Sequence, residues 1–130
     1  MGMDLASESG RDWRFTNWAF CNSLRLAKKY GWKPQNGLEY YFSNDGQLVE
    51  KEDAFNIGKA LLSCLDDIPE KEAKPLNSAL DPMDFNEVMK YQTGEKIAYK
   101  SILEVFSGTN KKEAIRDFAL FCQLGSFKIY

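Results

Sequence analysis

The sequence predicts one α+β domain spanning residues 1–130: a small antiparallel sheet, including a hairpin near residues 38–49, packed against four or five helices. Three observations carry this. Ala54, Ile57, Leu61, Leu65 and Ile68 recur at helical spacing. An Asn44-Asp45-Gly46 turn separates the aromatic-rich run Leu38–Ser43 from Gln47–Val49. The chain closes on Phe127-Lys128-Ile129-Tyr130, in which apolar and polar residues alternate as in a strand.

Taken in order, Met3–Ala6 reads as a short strand running into a Ser-Glu-Ser-Gly loop. A helix is expected over about residues 17–30. Thr16 or Asn17 caps it, Phe20, Leu24 and Ala27 lie on one face, Lys28 and Lys29 fill the last turn, and Gly31 ends it. The second helix begins with Glu50, Glu52 and Asp53, whose charges suit the positive end of the helix dipole, and Pro69 stops it. After a loop over 69–80, Asp81-Pro82 opens a helix with Phe85, Val88 and Met89 inward. Gly94 either breaks it or is carried within it, and helix continues to about Phe106, with Ala98, Ile102, Val105 and Phe106 inward. Asn110 and Glu113 have capping-box spacing ahead of Ile115, Phe118, Ala119 and Cys122, and Gly125 closes that helix. The first and last strands are expected to pair. Leu61 and Phe118 are expected in the core.

Composition excludes several classes. With 130 residues, 44% of them hydrophobic, the chain can bury a core without metals or disulfides. No apolar run approaches the roughly 20 residues of a membrane-spanning helix, and no secretory signal peptide is expected. There is no His, so the commonest general base and metal ligand are missing. Cys21, Cys64 and Cys122 are far apart and lie in helical apolar patterns, which predicts reduced, buried thiols in a cytoplasmic protein rather than a zinc or redox site.

Few constellations remain. An EF-hand phased on Gly46 would place Tyr41 where the first Asp belongs, which excludes it. Asp66 and Asp67 are helix neighbours about 100° apart and do not converge, while capping accounts for Asp81 and Asp84. Gly residues form no phosphate-binding motif, and Ala6 stands where N-myristoylation after Gly2 wants Ser or Thr. No catalytic residue, metal or cofactor is indicated.

Aromatics and charge are distributed unevenly. Nine of the 18 Phe, Tyr and Trp residues lie between Trp13 and Phe42, interleaved with Arg11, Arg14, Arg25 and Lys33. Such a cluster either packs the first helix onto the hairpin or forms a surface for a protein, a nucleic acid or a small ligand. Residues 38–89 carry four basic against twelve acidic side chains, a segment of −8 between two ends of +3 each. That middle segment is either a solvated surface or a negative face for a basic partner.

Four stretches, M-G-M-D-L at 1–5, Y-G-W-K-P at 30–34, N-D-G-Q at 44–47 with E-D-A at 52–54, and F-C-Q-L-G-S-F-K-I at 121–129, are similar to a group of small, uncharacterised bacterial proteins. The resemblance spans the chain and implies a complete, cytoplasmic, bacterial single-domain protein. Two departures are Gly37-Leu38, where the group tends to carry Gly-Thr, and Gly125-Ser126, where a Gly pair is usual. The resemblance implies no mechanism.

The function expected is therefore non-enzymatic protein interaction, in the manner of an immunity protein or antitoxin that covers a basic partner. The candidate residues are Trp13, Arg14, Trp32, Tyr40, Tyr41, Glu50, Asp53 and Asp66. The alternative is a small enzyme or ligand-binding domain using carboxylates of the acidic middle segment. Nucleic acid is disfavoured by a sequence pI near 5.2, and neither membrane nor cofactor is implied.

Overall fold

The computed structural model describes residues 2–72 and 102–130. The expected helix opening at Asp81-Pro82, its residues Phe85, Val88, Met89 and Ala98, the break at Gly94 and the Asp81–Asp84 pair lie outside these residues. The described residues form an α+β fold, with helices over one face of a four-stranded antiparallel sheet.

Strand β1 (Gly2–Ser7) turns through Gly10, at φ +89°, into β2 (Asp12–Thr16). Sequence reading missed β2. Its signal was Trp13 and Phe15 alternating with Asp12, Arg14 and Thr16, and those two rings face the core side. Thr16 then caps α1 (Asn17–Lys29), its hydroxyl accepting from the Ala19 N–H at 3.1 Å. Phe20, Leu24 and Ala27 are fully buried along α1, as their spacing predicts.

The hairpin expected at 38–49 is not formed. Leu38–Tyr41 is instead one helical turn, α2, and β3 (Gln47–Val49) pairs with the last strand. Successive strand residues point to opposite faces, whereas a helical turn sets them about 100° apart. That lets Tyr41 enter the core while Tyr40 reaches over β3. Helix α3 (Lys51–Cys64) follows, with Ala54, Ile57 and Leu61 buried, and a 3-10 turn (Leu65–Asp67) ends ahead of Pro69.

Helix α4 is described over Ile102–Val105, and Ile102, Val105 and Phe106 are buried as expected. Helix α5 (Thr109–Cys122) starts one residue before Asn110, so the expected capping box does not form. Gly108, at φ +98° and donating its N–H to the Pro69 carbonyl at 3.0 Å, turns the chain there instead. Phe118 is fully buried. Strand β4 (Phe127–Ile129) pairs with β1 in the register Leu5↔Ile129, Ser7↔Phe127, so the first and last strands are neighbours as expected.

Strand order is β2-β1-β4-β3. Met3, Leu5, Phe127, Ile129 and Val49 point from the sheet into one core with α1, α3 and α5. Asp4, Asp12, Arg14, Leu48 and Lys128 lie on the opposite, exposed face. Where α3 meets α5, a Cβ on Gly58 of α3 would sit 2.6 Å from the Ala119 carbonyl oxygen of α5. Only glycine permits that approach.

Candidate functional site

The eight candidate residues fall into three places. Trp32, Tyr41 and Asp53 come together, but inside the protein: each is at most 2% exposed. The Trp32 indole N–H donates to Asp53 Oδ1 at 2.8 Å, and the Tyr41 hydroxyl donates to Asp53 Oδ2. Tyr41 also meets Trp32 edge-on, with ring centroids 5.2 Å apart. Burial, together with the bond to Asp53, raises the Tyr41 hydroxyl to about 12. These three residues therefore hold α2 and the end of the α1 loop to α3, and they are core residues rather than the partner contacts expected from the sequence.

Glu50 and Asp66 are exposed, but they lie before and beyond opposite ends of α3, roughly 24 Å apart along its axis. At the Asp66 end, α5 supplies compensating cations: Lys111 to Glu72 at 3.6 Å and Lys112 to Glu70 at 3.8 Å. With Asp53 pointing inward, Glu50, Asp53 and Asp66 do not share one acidic face.

Tyr40 covers an edge of the sheet. Its hydroxyl donates to the Leu48 carbonyl at 2.7 Å, and Gln47 Nε2 donates to the Tyr40 carbonyl at 2.7 Å. The outer side of β3 is thus partly occupied by the 40–47 segment.

Trp13 and Arg14 sit at the other edge. The ladder between β1 and β2 is set by the Ser7 N–H donating to the Arg11 carbonyl at 2.8 Å. Alternation from that pair turns the backbone groups of Trp13 and Phe15 toward β1, and those of Asp12 and Arg14 away from it. No described strand receives them. Trp13 packs on Phe15 edge-on at 5.3 Å and on Phe118 and Phe121 at 6.1 and 6.4 Å. Its indole N–H is buried without a hydrogen-bond partner among the described residues. Beside it runs a groove of about 410 Å³ bordered by Leu120 and Leu124, which are 49% and 42% exposed. The outward-facing Arg14 guanidinium lies 3.6 Å from Asp4, across the strand. Among the described residues, an unpaired ladder edge, a half-buried aromatic ring and two exposed leucines form one surface here. Trp13 and Arg14 are expected from the sequence, whereas Leu120 and Leu124 are not, because they lie on the far side of an amphipathic helix pattern.

Nothing in the described residues assembles a reaction centre. The thiols are free, and Cys64 and Cys122 are buried as expected while Cys21 is half-buried. Burial raises all three: Cys64 to about 12, Cys122 well above its ordinary value, and Cys21 against the opposing pull of Arg25. Raised thiols are poor nucleophiles. Asp67 accepts from the Tyr30 hydroxyl at 2.7 Å and does not converge with Asp66 on open space. No group of three or more His, Cys, Asp or Glu among the described residues is placed to hold a metal. A groove of about 480 Å³ between α1 and α3 is lined by Lys33, Asn56 and Lys59 over Trp32, and by no carboxylate. No described helix is long and apolar enough to cross a membrane.

Comparison with protein-family models, with curated proteins and with solved structures finds no match.

Proposed function

We propose that the chain is a non-enzymatic protein-interaction module that takes up an extended segment of another polypeptide along the free edge of β2. The observation that carries this reading is the asymmetry of the sheet: Tyr40 and Gln47 cover the β3 edge, while no described strand meets the outward groups of Asp12 and Arg14 beside Trp13, Leu120 and Leu124. Strand addition draws its affinity from main-chain hydrogen bonds and its selectivity from neighbouring side-chain pockets. Both are available here. Trp and Arg are also the side chains that contribute most at protein interfaces. The separation of Glu50 from Asp66 gives little support to an acidic face that covers a basic partner. The groove lined by Lys33 and Lys59 gives none to an active site built on carboxylates.

Arg14→Pro tests this selectively. Proline removes an N–H that points away from β1, so the ladder within the chain keeps its bonds. Tagged wild type and Arg14→Pro, each checked for folding by circular dichroism, are used to capture proteins from the native cell lysate. A partner held by the wild type and lost by the variant is expected. The same proteins on both baits, or none on either from a chain that also does not pair with itself, would overturn the reading.

A further inference from the structure

We infer that the polypeptide taken up on this edge is β2 of a second copy of the chain, paired antiparallel about a two-fold axis at Trp13; this rests on the strand-addition reading above. Register selects this pairing. Outward backbone groups belong to Asp12 and Arg14, so both must join hydrogen-bonded pairs with the incoming strand. A one-residue slip would set the exposed face of one copy against the core face of the other. Among the registers that keep the faces aligned, centring on Arg14 opposes two guanidinium groups, and centring on Asp12 opposes two carboxylates. Centring on Trp13 instead sets Asp12 of each copy opposite Arg14 of the other, twice over.

The surroundings fit that register. Asp12 lies across from Ala6 on β1 and makes no ion pair among the described residues, so its carboxylate lacks a cation that Arg14 of the second copy supplies. Arg14 already carries Asp4 on one side, and the new Asp12 completes an alternating row of charges across the joined sheets. On the other face the two Trp13 residues form a non-hydrogen-bonded pair, the closer kind, in which aromatic side chains gain most from contact. Leu120 and Leu124 lie alongside, bordering the groove that the second copy would cover. The row Asp-Trp-Arg is self-complementary only when reversed on itself.

The test is sedimentation of wild type, Asp12→Arg and Arg14→Asp across a concentration series, with circular dichroism confirming that each is folded. Wild type is expected to dimerise as concentration rises. Each single variant opposes like charges at both pairs, and is expected to weaken the dimer by roughly tenfold or more. Mixed one to one, the two variants restore an opposite charge across every pair and are expected to associate with each other. A wild type that stays monomeric throughout overturns the inference, as does a mixture no more associated than its parts. If the wild type is monomeric while a lysate protein is still lost on Arg14→Pro, only the identity of the partner fails. If Arg14→Pro also changes nothing in capture, the strand-addition reading fails with it.

Discussion

The indole N–H of Trp32 is bonded at 2.8 Å to a carboxylate, Asp53, that lies 21 residues away and is 2% exposed. With Tyr41 on its other oxygen, Asp53 gathers three segments that carry no continuous secondary structure between them. Removing the carboxylate leaves two buried donors without an acceptor, each costing about 1–3 kcal/mol. Asp53→Ala is therefore expected to lose about 2–5 kcal/mol in urea unfolding. Asp53→Asn, which can still accept from Trp32 and donate to the Tyr41 oxygen, should lose markedly less. Equal losses for the two would mean that charge, not acceptor geometry, holds the site.

Alkaline pH should act through two tyrosines, in addition to the three thiols that burial raises from 9.0. Tyr41 is raised to about 12 by burial and by its bond to Asp53, and Tyr30 to about 12 chiefly by its bond to Asp67, against 10.0 for an unperturbed phenol. Below pH 10 folded and unfolded chains both keep these protons, and the contribution is intact. As pH rises through the interval up to about 12, the unfolded chain releases protons that the folded chain retains, so stability falls. The urea midpoint should drop across that window, with a shallower drop in Tyr41→Phe. A midpoint independent of pH there would contradict the buried Tyr41–Asp53 bond.

Packing between α3 and α5 gives a paired prediction. Leu61 is fully buried, and Leu61→Ala should cost about 2–5 kcal/mol. Gly58→Ala would ordinarily favour a helix by about 1 kcal/mol. Here the added Cβ meets a backbone oxygen, the Ala119 carbonyl, which cannot swing aside like a side chain. A net loss of roughly 1 kcal/mol or more is expected. A gain in stability from Gly58→Ala would show that the helices lie farther apart than described.

Elements with local causes were legible in the sequence. The period of Ala54, Ile57 and Leu61 marked α3, Thr16 marked the start of α1, and the alternation of Phe127 and Ile129 marked the last strand. Elements decided by distant partners were not. Tyr40, Tyr41 and Phe42 look like a strand by propensity, and only the demands of Asp53 and the Leu48 carbonyl wind them into a turn. Asp53 itself reads as a dipole-matched acid in a first helical turn, since nothing local reveals two donors converging on it. Trp13 and Arg14 were visible as an aromatic–Arg pair, but that they occupy a sheet edge no described strand covers depends on strand order.

The most direct measurement of the strand-addition account is amide hydrogen exchange at Asp12 and Arg14, compared between the dilute free chain and the chain co-purified with whatever the wild type captures. In the free chain these two N–H groups should exchange quickly while those of Trp13 and Phe15, bonded to β1, are protected. In the complex, Asp12 and Arg14 should become protected as well. If they exchange as fast in the complex as in the free chain, the partner binds elsewhere and the β2 edge is not the docking site.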